Sequence, residues 1–138
     1  MIKIVVAAHG NLAQELVSSA ELIAGKQSNL YAVKRVTDDS LQHMQEKIDA
    51  LLKSINGSAE DGALILVDML GGSPCNAAAP MCRAFNTELI AGVNLPMILS
   101  AIFASKSAAS AAELAEKVFQ DGQKSIVNVK KMLASRMK

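Results

Sequence analysis

Apolar residues follow two patterns along the chain, and the two patterns alternate. Continuous aliphatic runs are typical of strands that are covered on both faces of a sheet. Such runs predict four strands, over 2–8, 30–36, 63–68 and 88–93. The strand over 30–36 (LYAVKRV) is more polar than the others, so we expect it nearer to an edge of the sheet.

Between the predicted strands, apolar residues recur every three or four positions, as in amphipathic helices. These segments predict helices over 11–25, 37–55, 73–85 and 110–124, and another that begins at Pro96. The candidate N-caps are Asn11, Asp38 or Asp39, and Ser73, with Pro74 as the first residue of its helix. Residues 56–62 (NGSAEDG) predict a loop. Residues 125–129 (SIVNV) fit a short strand or part of a terminal helix, and we favour the strand.

This order of elements predicts a single α/β domain over 1–138. The expected architecture is an open, doubly wound, mainly parallel sheet with helices on both faces: about four parallel strands and an antiparallel strand at the C-terminal edge. In such sheets, ligands bind beyond the carboxyl ends of the strands, where the strand order switches. His9, Asp68 and Asn94 each stand at the end of a predicted strand, so the sheet is expected to carry them to one edge.

The composition limits the classes of function. Hydrophobic residues make up 51% of the chain and aromatic residues 3%, so the core is expected to be aliphatic. The net charge is +1, with acidic and basic residues spread along the chain, which argues against nucleic acid or a membrane surface as a partner. No signal peptide is visible and the longest apolar run, 95–104, is too short to span a membrane, so we expect a cytoplasmic protein.

His9 and Asp68 suggest a nucleophile and the group that orients it. A carboxylate that accepts a hydrogen bond from one ring nitrogen of a histidine fixes the tautomer and leaves a lone pair on the other nitrogen. Gly71 and Gly72 would let the backbone approach a ligand, and Ser73 would begin a helix whose free N–H groups favour an anion. There is no metal-binding set and no GxxxxGK[ST] nucleotide motif. We therefore expect a phosphohistidine whose donor is not ATP, with no cofactor and no metal.

Three motifs carry a resemblance to a known family: VVAAHG at 5–10, LVDMLGGSPCNAA at 66–78 and IAGVNLPM at 90–97. In this order and spacing, the chain resembles the IIA component of the mannose family (mannose, fructose, sorbose and N-acetylgalactosamine) of the bacterial phosphoenolpyruvate-dependent sugar phosphotransferase system. The resemblance covers nearly the whole chain. It implies a phosphotransferase that carries a phosphoryl group on a histidine, from phospho-HPr to a IIB protein. The membrane is involved only indirectly, through the IIC/IID pair that imports the sugar.

Carried over residue by residue, the resemblance implies that His9 is phosphorylated at Nε2 and that Asp68 holds Nδ1–H. It implies that Gly71, Gly72 and Ser73 receive the phosphoryl oxygens. Members of the family are commonly homodimers that exchange an antiparallel edge strand, for which 125–129 is the candidate here. Because the chain stops soon after that segment, we expect a free-standing IIA domain.

The chain departs from its relatives at three positions. Met69 and Leu70 stand where Thr and an aromatic residue are frequent, and Cys75 stands where an aromatic residue is frequent. These departures alter the partner-facing surface but leave His9 and Asp68 in place. Which sugar and which IIB protein the chain serves stay open.

Other interpretations remain compatible with the sequence. His9 could be an ordinary strand-end histidine, and Asp68 or GGSP could merely form a turn. Cys75, in the first turn of a helix, could act as the nucleophile of a Cys-dependent hydrolase. A small phosphate-ligand-binding module, a regulatory phosphoprotein and the phosphotransfer subunit of a dihydroxyacetone kinase system are further alternatives. His43 is expected to face solvent, and Cys75 and Cys82 lie too far apart on one predicted helix to form a disulfide.

Overall fold

The computed structural model describes residues 1–55, 61–84 and 86–137. Most of the predicted loop over 56–62, and Phe85 at the predicted end of a helix, lie outside the described residues. The elements are, in chain order, β1 (Lys3–His9), α1 (Leu12–Ala24), β2 (Leu30–Arg35), α2 (Leu41–Ser54), β3 (Ala63–Val67), α3 (Ser73–Ala78), α4 (Met81–Ala84), β4 (Thr87–Ala91), α5 (Leu95–Ala104), α6 (Ala111–Ser125) and α7 (Val129–Arg136).

The four strands form one parallel sheet in the order β2-β1-β3-β4. Successive side chains of a strand point to opposite faces of the sheet, and β1 shows this directly. Ile4 and Val6 pack in one buried cluster with α1, α5 and α6, whereas Val5 and Ala7 pack in a second cluster with α2 and α3. Both faces are therefore covered, which confirms the predicted open, doubly wound sheet. The polar strand β2 lies at an edge of the sheet, as its composition predicts.

The switch in strand order lies between β1 and β3. The chain leaves β1 to form β2 on one side and later returns to form β3 on the other side. The register pairs Ala7 with Val67, so the carboxyl ends of these two strands lie side by side. In open parallel sheets, this position forms the crevice in which ligands bind.

The predicted strand over 125–129 is wrong. α6 extends to Ser125, and α7 begins at Val129 after only three residues. Asn128 caps α7, because its side chain accepts a hydrogen bond at 3.1 Å from the backbone N–H of Lys131. Such a cap, followed by helix-forming residues, favours a new helix over a strand. All four strands of the described sheet are parallel.

The predicted cap of α2 is also wrong. Neither Asp38 nor Asp39 caps this helix. Ser40 does, since its Oγ accepts a hydrogen bond at 3.0 Å from the backbone N–H of His43. Asp39 turns inward instead, and its side chain is only 2% exposed because Lys47 donates a hydrogen bond to it.

The helix predicted over 73–85 is divided into α3 and α4. The break falls at Ala79 and Pro80, since a proline inside a helix lacks the N–H group and clashes with the preceding turn. α3 begins at Ser73, so that Gly72 rather than Ser73 is its N-cap. Cys75 and Cys82 consequently lie on different helices, and both are free thiols.

The longest apolar run of the sequence forms α5. Asn94 caps this helix, with its side chain accepting a hydrogen bond at 3.0 Å from the backbone N–H of Met97. Pro96 lies in the first turn, where its missing N–H removes no helical hydrogen bond. In the three described ranges, no helix is long and apolar enough to cross a membrane.

Candidate functional site

The carboxyl ends of β1 and β3 bring His9 and Asp68 into contact. His9 is the last residue of β1, and Asp68 follows the last residue of β3. The ring Nδ1 lies 2.7 Å from Oδ2 of Asp68, and the backbone N–H of His9 donates to the same oxygen at 3.0 Å. Oδ1 accepts a hydrogen bond at 3.0 Å from the backbone N–H of Met69. Both carboxylate oxygens are thus held in place.

These contacts determine the tautomer of His9. Burial alone would raise the pKa of the Asp68 carboxyl, but hydrogen bonds from the backbone and ring of His9 outweigh burial and lower that pKa. An ionised carboxylate only accepts hydrogen bonds, so the ring carries its proton on Nδ1. Nε2 therefore keeps a lone pair. The His9 side chain is 42% exposed and that of Asp68 only 12%, so the ring is accessible to solvent while the carboxylate is largely shielded from it.

The loop between β3 and α3 lies against the His9 ring. Gly71 has φ +82°, in the left-handed region that favours glycine, and it turns the chain. Gly72 then approaches the ring so closely that an added Cβ would lie 2.8 Å from Cε1 and 3.5 Å from Nε2. Only glycine leaves the ring undisturbed at this position.

Two further residues complete this loop. Asn76 holds it from α3, because its side-chain Nδ2 donates to the carbonyl oxygen of Gly71 at 3.1 Å. Ser73 is the first residue of α3, and the N–H groups of a first turn have no partner within the helix. The first turn of α3 therefore begins directly after Gly72, the residue that lies against the His9 ring.

Met69 and Leu70 form the exposed rim of the same loop. Leu70 is 82% exposed and Met69 is 55% exposed. These are two of the positions at which the sequence departs from its relatives. Exposed apolar side chains that lie side by side, as these two do next to His9, are typical of surfaces that contact another protein.

An open cleft of about 380 Å³ lies on the other side of His9. It is lined by the ends of β1 and β2 and by the turns that follow them, including Arg35. Gly10, with φ +57°, begins the turn after β1, and its N–H donates to the carbonyl oxygen of Arg35 at 2.8 Å. A larger cavity of about 500 Å³ lies between α5 and α6, but none of the predicted site residues lines it.

Other residues considered from the sequence lie elsewhere. Cys75 is buried in the cluster under α2 and α3, which weighs against a thiol nucleophile. The side chain of His43 is 56% exposed and pairs with Asp39. Asn94 serves as the cap of α5. In the parts of the chain that the structure describes, no three metal-ligating side chains converge.

Three residues near the site were given no structural role from the sequence. Asn76 follows GGSPC in the loop motif, and a side-chain amide so close to a glycine pair could have predicted a hydrogen bond to the loop backbone. Gly10 follows the histidine directly, and a glycine after a strand end predicts a turn. Arg35 gave no local signal, because its place beside His9 depends on the register between β1 and β2.

Comparisons with known proteins agree with this geometry. The family model described as the fructose IIA component of the phosphotransferase system matches residues 3–119. The mannose-specific EIIAB component of the phosphotransferase system from Escherichia coli K12 is 33% identical over 130 residues, which are 94% of this chain and 40% of that relative. The chain therefore spans about 40% of the length of the curated EIIAB relatives it matches. The fructose-specific EIIA component of Bacillus subtilis is 37% identical over 103 residues, 74% of this chain and 69% of that protein.

Solved structures agree as well. The phosphotransferase system component EIIA from Streptococcus agalactiae has a TM-score of 0.84 and 28% identity, covering 95% of this chain and 99% of that one. The mannose/sorbose-specific IIA subunit from Enterococcus faecalis also has a TM-score of 0.84, with 30% identity and coverage of 92% and 93%. The resemblance inferred from the three motifs is thus confirmed: this chain belongs to the mannose-type IIA family of the phosphotransferase system.

Proposed function

We propose that this chain is a cytoplasmic phosphocarrier for sugar uptake, with His9 as the residue that is phosphorylated. The observation that supports this proposal best is the contact of His9 with Asp68, at 2.7 Å, which leaves Nε2 free beside the glycine loop. The donor is phospho-HPr and the acceptor is a IIB protein, so the chain reaches the membrane only indirectly. Relatives named mannose-, fructose- and sorbose-specific leave the sugar open.

The transfer is a substitution at phosphorus. The Nε2 lone pair of His9 forms the new N–P bond while the bond from phosphorus to the donor nitrogen breaks, and the donor nitrogen keeps that electron pair. Nδ1 retains its proton, so the His9 ring becomes positively charged once Nε2 is bonded to phosphorus. The carboxylate of Asp68 stabilises this charge and fixes the orientation of the ring, as an orienting carboxylate does for other histidine nucleophiles and bases.

The glycine loop would receive the phosphoryl oxygens. Gly72 lets the backbone lie against the ring, and the N–H groups of Gly72 and Ser73, with the Ser73 hydroxyl, are candidate donors. Donors that are already in place stabilise negative charge on the oxygens without having to reorganise during the transfer. The positively charged ring is also a good leaving group, so a nucleophile of the IIB protein can take the phosphoryl group in the second transfer.

Intact mass spectrometry tests the proposal. After incubation with phosphoenolpyruvate, enzyme I and HPr, the protein is expected to gain one acid-labile phosphoryl mass, about 80 Da by the chemistry of N-phosphorylation. The His9→Ala variant is expected to gain nothing, and His43→Ala is the matched control because it removes the other histidine. An unmodified wild-type protein, with donors that phosphorylate a known IIA, would contradict the proposal.

We also propose that the protein is a homodimer that meets its second copy along β4. β4 is the last strand of the described sheet, so its outer edge presents backbone groups that another chain can pair with. Phe119 and Ile126 line a shallow pocket together with Ile90 and Ala91 of β4, and they are 45% and 82% exposed. Sedimentation equilibrium is expected to give a dimer for the wild type and a monomer for Ile126→Lys. A monomeric wild-type protein at micromolar concentration would contradict this part of the proposal.

A further inference from the structure

Arg35 lies directly beside His9 in the sheet. The parallel register pairs the two residues as Cα partners at the ends of β1 and β2. Paired residues of neighbouring strands point to the same face, and the strands are about 4.8 Å apart. Both residues line the open cleft of about 380 Å³. A guanidinium side chain thus stands next to His9, on the side opposite to the glycine loop.

The turn after β2 supports Arg35 firmly. Nη2 of Arg35 donates to the backbone carbonyl of Asp39 at 3.2 Å. Asp39 is itself fixed, since its carboxylate accepts hydrogen bonds from the backbone N–H of Val36 at 2.9 Å and from Nζ of Lys47 at 2.6 Å. His43 pairs with the other carboxylate oxygen of Asp39. The guanidinium of Arg35 is therefore attached at Nη2 to an ordered turn, by a contact that does not involve His9.

The guanidinium of Arg35 is poorly satisfied in this arrangement. A guanidinium has five N–H donors, and the Nε of Arg35 is buried with no hydrogen-bond partner among the residues the structure describes. A buried donor without a partner costs free energy, and such groups are uncommon in folded proteins. A small rotation of this half-buried side chain towards an anion in the cleft would supply the missing acceptor.

We infer that Arg35 is a second phosphoryl-binding residue, which donates hydrogen bonds to the oxygens of the phosphoryl group on His9. The inference rests on the proposed function. Arg35 forms no covalent bond, and the group it binds is the dianionic phosphoryl that arrives on Nε2. A guanidinium matches phosphoryl oxygens in charge and in geometry, because two parallel N–H groups can contact two oxygens. The loop with Gly72 and Ser73 then binds the phosphoryl group from one side and Arg35 from the other.

Rates of phosphorylation test this inference. We would compare Arg35→Gln and Arg35→Lys with the wild type, using phospho-HPr and, separately, phosphoramidate, a small donor that needs no docking surface. Lys34→Gln is the matched control: Lys34 also lines the cleft and carries the neighbouring positive charge, but its side chain belongs to the face of β2 opposite to that of Arg35 and His9. Arg35→Gln is expected to be phosphorylated about tenfold more slowly with both donors, the size of effect that one charge-assisted hydrogen bond supports. Arg35→Lys should recover part of the rate, and Lys34→Gln should remain close to the wild type.

A pH titration of the phosphorylated protein by ³¹P NMR separates phosphoryl binding from a structural role. A guanidinium that contacts the phosphoryl oxygens lowers the pKa of their second ionisation, so Arg35→Gln is expected to raise that pKa relative to the wild type. Thermal unfolding of each variant shows whether the fold is intact. The inference would be overturned if Arg35→Gln lost rate only with phospho-HPr, or if Lys34→Gln slowed phosphorylation as much as Arg35→Gln. It would also be overturned if the pKa of the phosphoryl group in Arg35→Gln equalled that in the wild type. If the wild type itself is not phosphorylated, the proposed function fails first.

Discussion

Gly72→Ala is the substitution that tests the geometry of the site most sharply. Gly72 has φ −75° and ψ 167°, which alanine adopts without strain, so the change should act through its methyl group alone. The added Cβ would lie 2.8 Å from Cε1 of His9 and 3.2 Å from Cγ of Met69. The side chain of Met69 can rotate away, but the His9 ring is held by Asp68.

The magnitude of the effect follows from these distances. Carbon atoms in contact are about 3.5–4.0 Å apart, so the ring must move by roughly 0.7 Å or more. A shift of that size can carry the hydrogen bond of 2.7 Å between His9 and Asp68 past its usual limit of about 3.2 Å. Misplacement of a reacting group by about 1 Å costs up to 10²-fold in rate. We therefore expect phosphorylation of Gly72→Ala to be on the order of 10- to 100-fold slower.

The stability of Gly72→Ala should change much less than its rate. The His9 side chain is 42% exposed, so the ring can yield towards solvent. The cost should therefore be about 1 kcal/mol, the low end for an overpacked site, or roughly 3–5 °C in Tm for a domain of this size.

Gly25→Ala is the matched control. Gly25, at the end of α1, has φ +84°, where alanine costs about 1–2 kcal/mol, but nothing lies within 4 Å of its added Cβ. The assays are the initial rate of phosphorylation by phospho-HPr and the thermal unfolding midpoint. Gly25→Ala should lose as much stability as Gly72→Ala yet keep its rate. A Gly72→Ala variant that is phosphorylated at the wild-type rate would refute the close approach of the loop to His9.

Three further predictions concern the groups around the site. Asp68→Asn should slow phosphorylation by on the order of 10²- to 10⁴-fold, because an amide can donate to Nδ1 and move the ring proton to Nε2; a rate within fivefold of the wild type would exclude this role. Contacts with Lys47, chiefly its hydrogen bond, and with Val36 lower the pKa of Asp39 to about 2. The stability that Asp39 contributes is therefore present above the unfolded pKa of about 4 and lost as the pH falls towards 2. Urea unfolding should show that Asp39→Asn is less stable than the wild type at neutral pH and loses less stability as the pH falls from about 4 towards 2. Parallel plots of unfolding free energy against pH for the two proteins would contradict this role of Asp39. Cys75→Ala should keep the phosphorylation rate within twofold and lose about 1 kcal/mol of stability, as expected for a small buried side chain; loss of the rate in a folded variant would restore the thiol as a candidate nucleophile.

The strands could be predicted because a buried strand can be recognised from its local composition. β1 and β3 are continuous aliphatic runs, and all five residues of β3 are buried in the structure. The predicted order of elements then leads to the doubly wound sheet by general rules of connection. The break between α3 and α4 was also predictable, since Pro80 lies in the middle of the predicted helix.

Other features depend on contacts that a local pattern does not contain. Asp38, Asp39 and Ser40 are all good helix caps, and the choice of Ser40 follows from the hydrogen bond that Lys47 makes with Asp39. The segment over 125–129 has the β-branched residues of a strand, but the cap at Asn128 and the helix formers after it decide for α7. The cap and the helix-forming residues therefore outweigh the strand preference of the β-branched residues in this segment.

The candidate site also contains residues that the sequence predicts and one that it does not. His9, Asp68 and the glycine loop could be placed together from the sequence, since each follows a predicted strand and parallel strands end at one edge. Arg35 could not, because the strand order β2-β1-β3-β4 and the pairing of Arg35 with His9 emerge only from the folded sheet.

The most direct test of the account is the position of the phosphoryl group on the His9 ring. Long-range ¹H–¹⁵N correlation and ³¹P NMR of the protein, phosphorylated by phosphoenolpyruvate, enzyme I and HPr, distinguish the two ring nitrogens. The account predicts phosphorus on Nε2 and a retained proton on Nδ1, because Nδ1 faces Asp68 at 2.7 Å. Phosphorus on Nδ1, or on a residue other than His9, would contradict it.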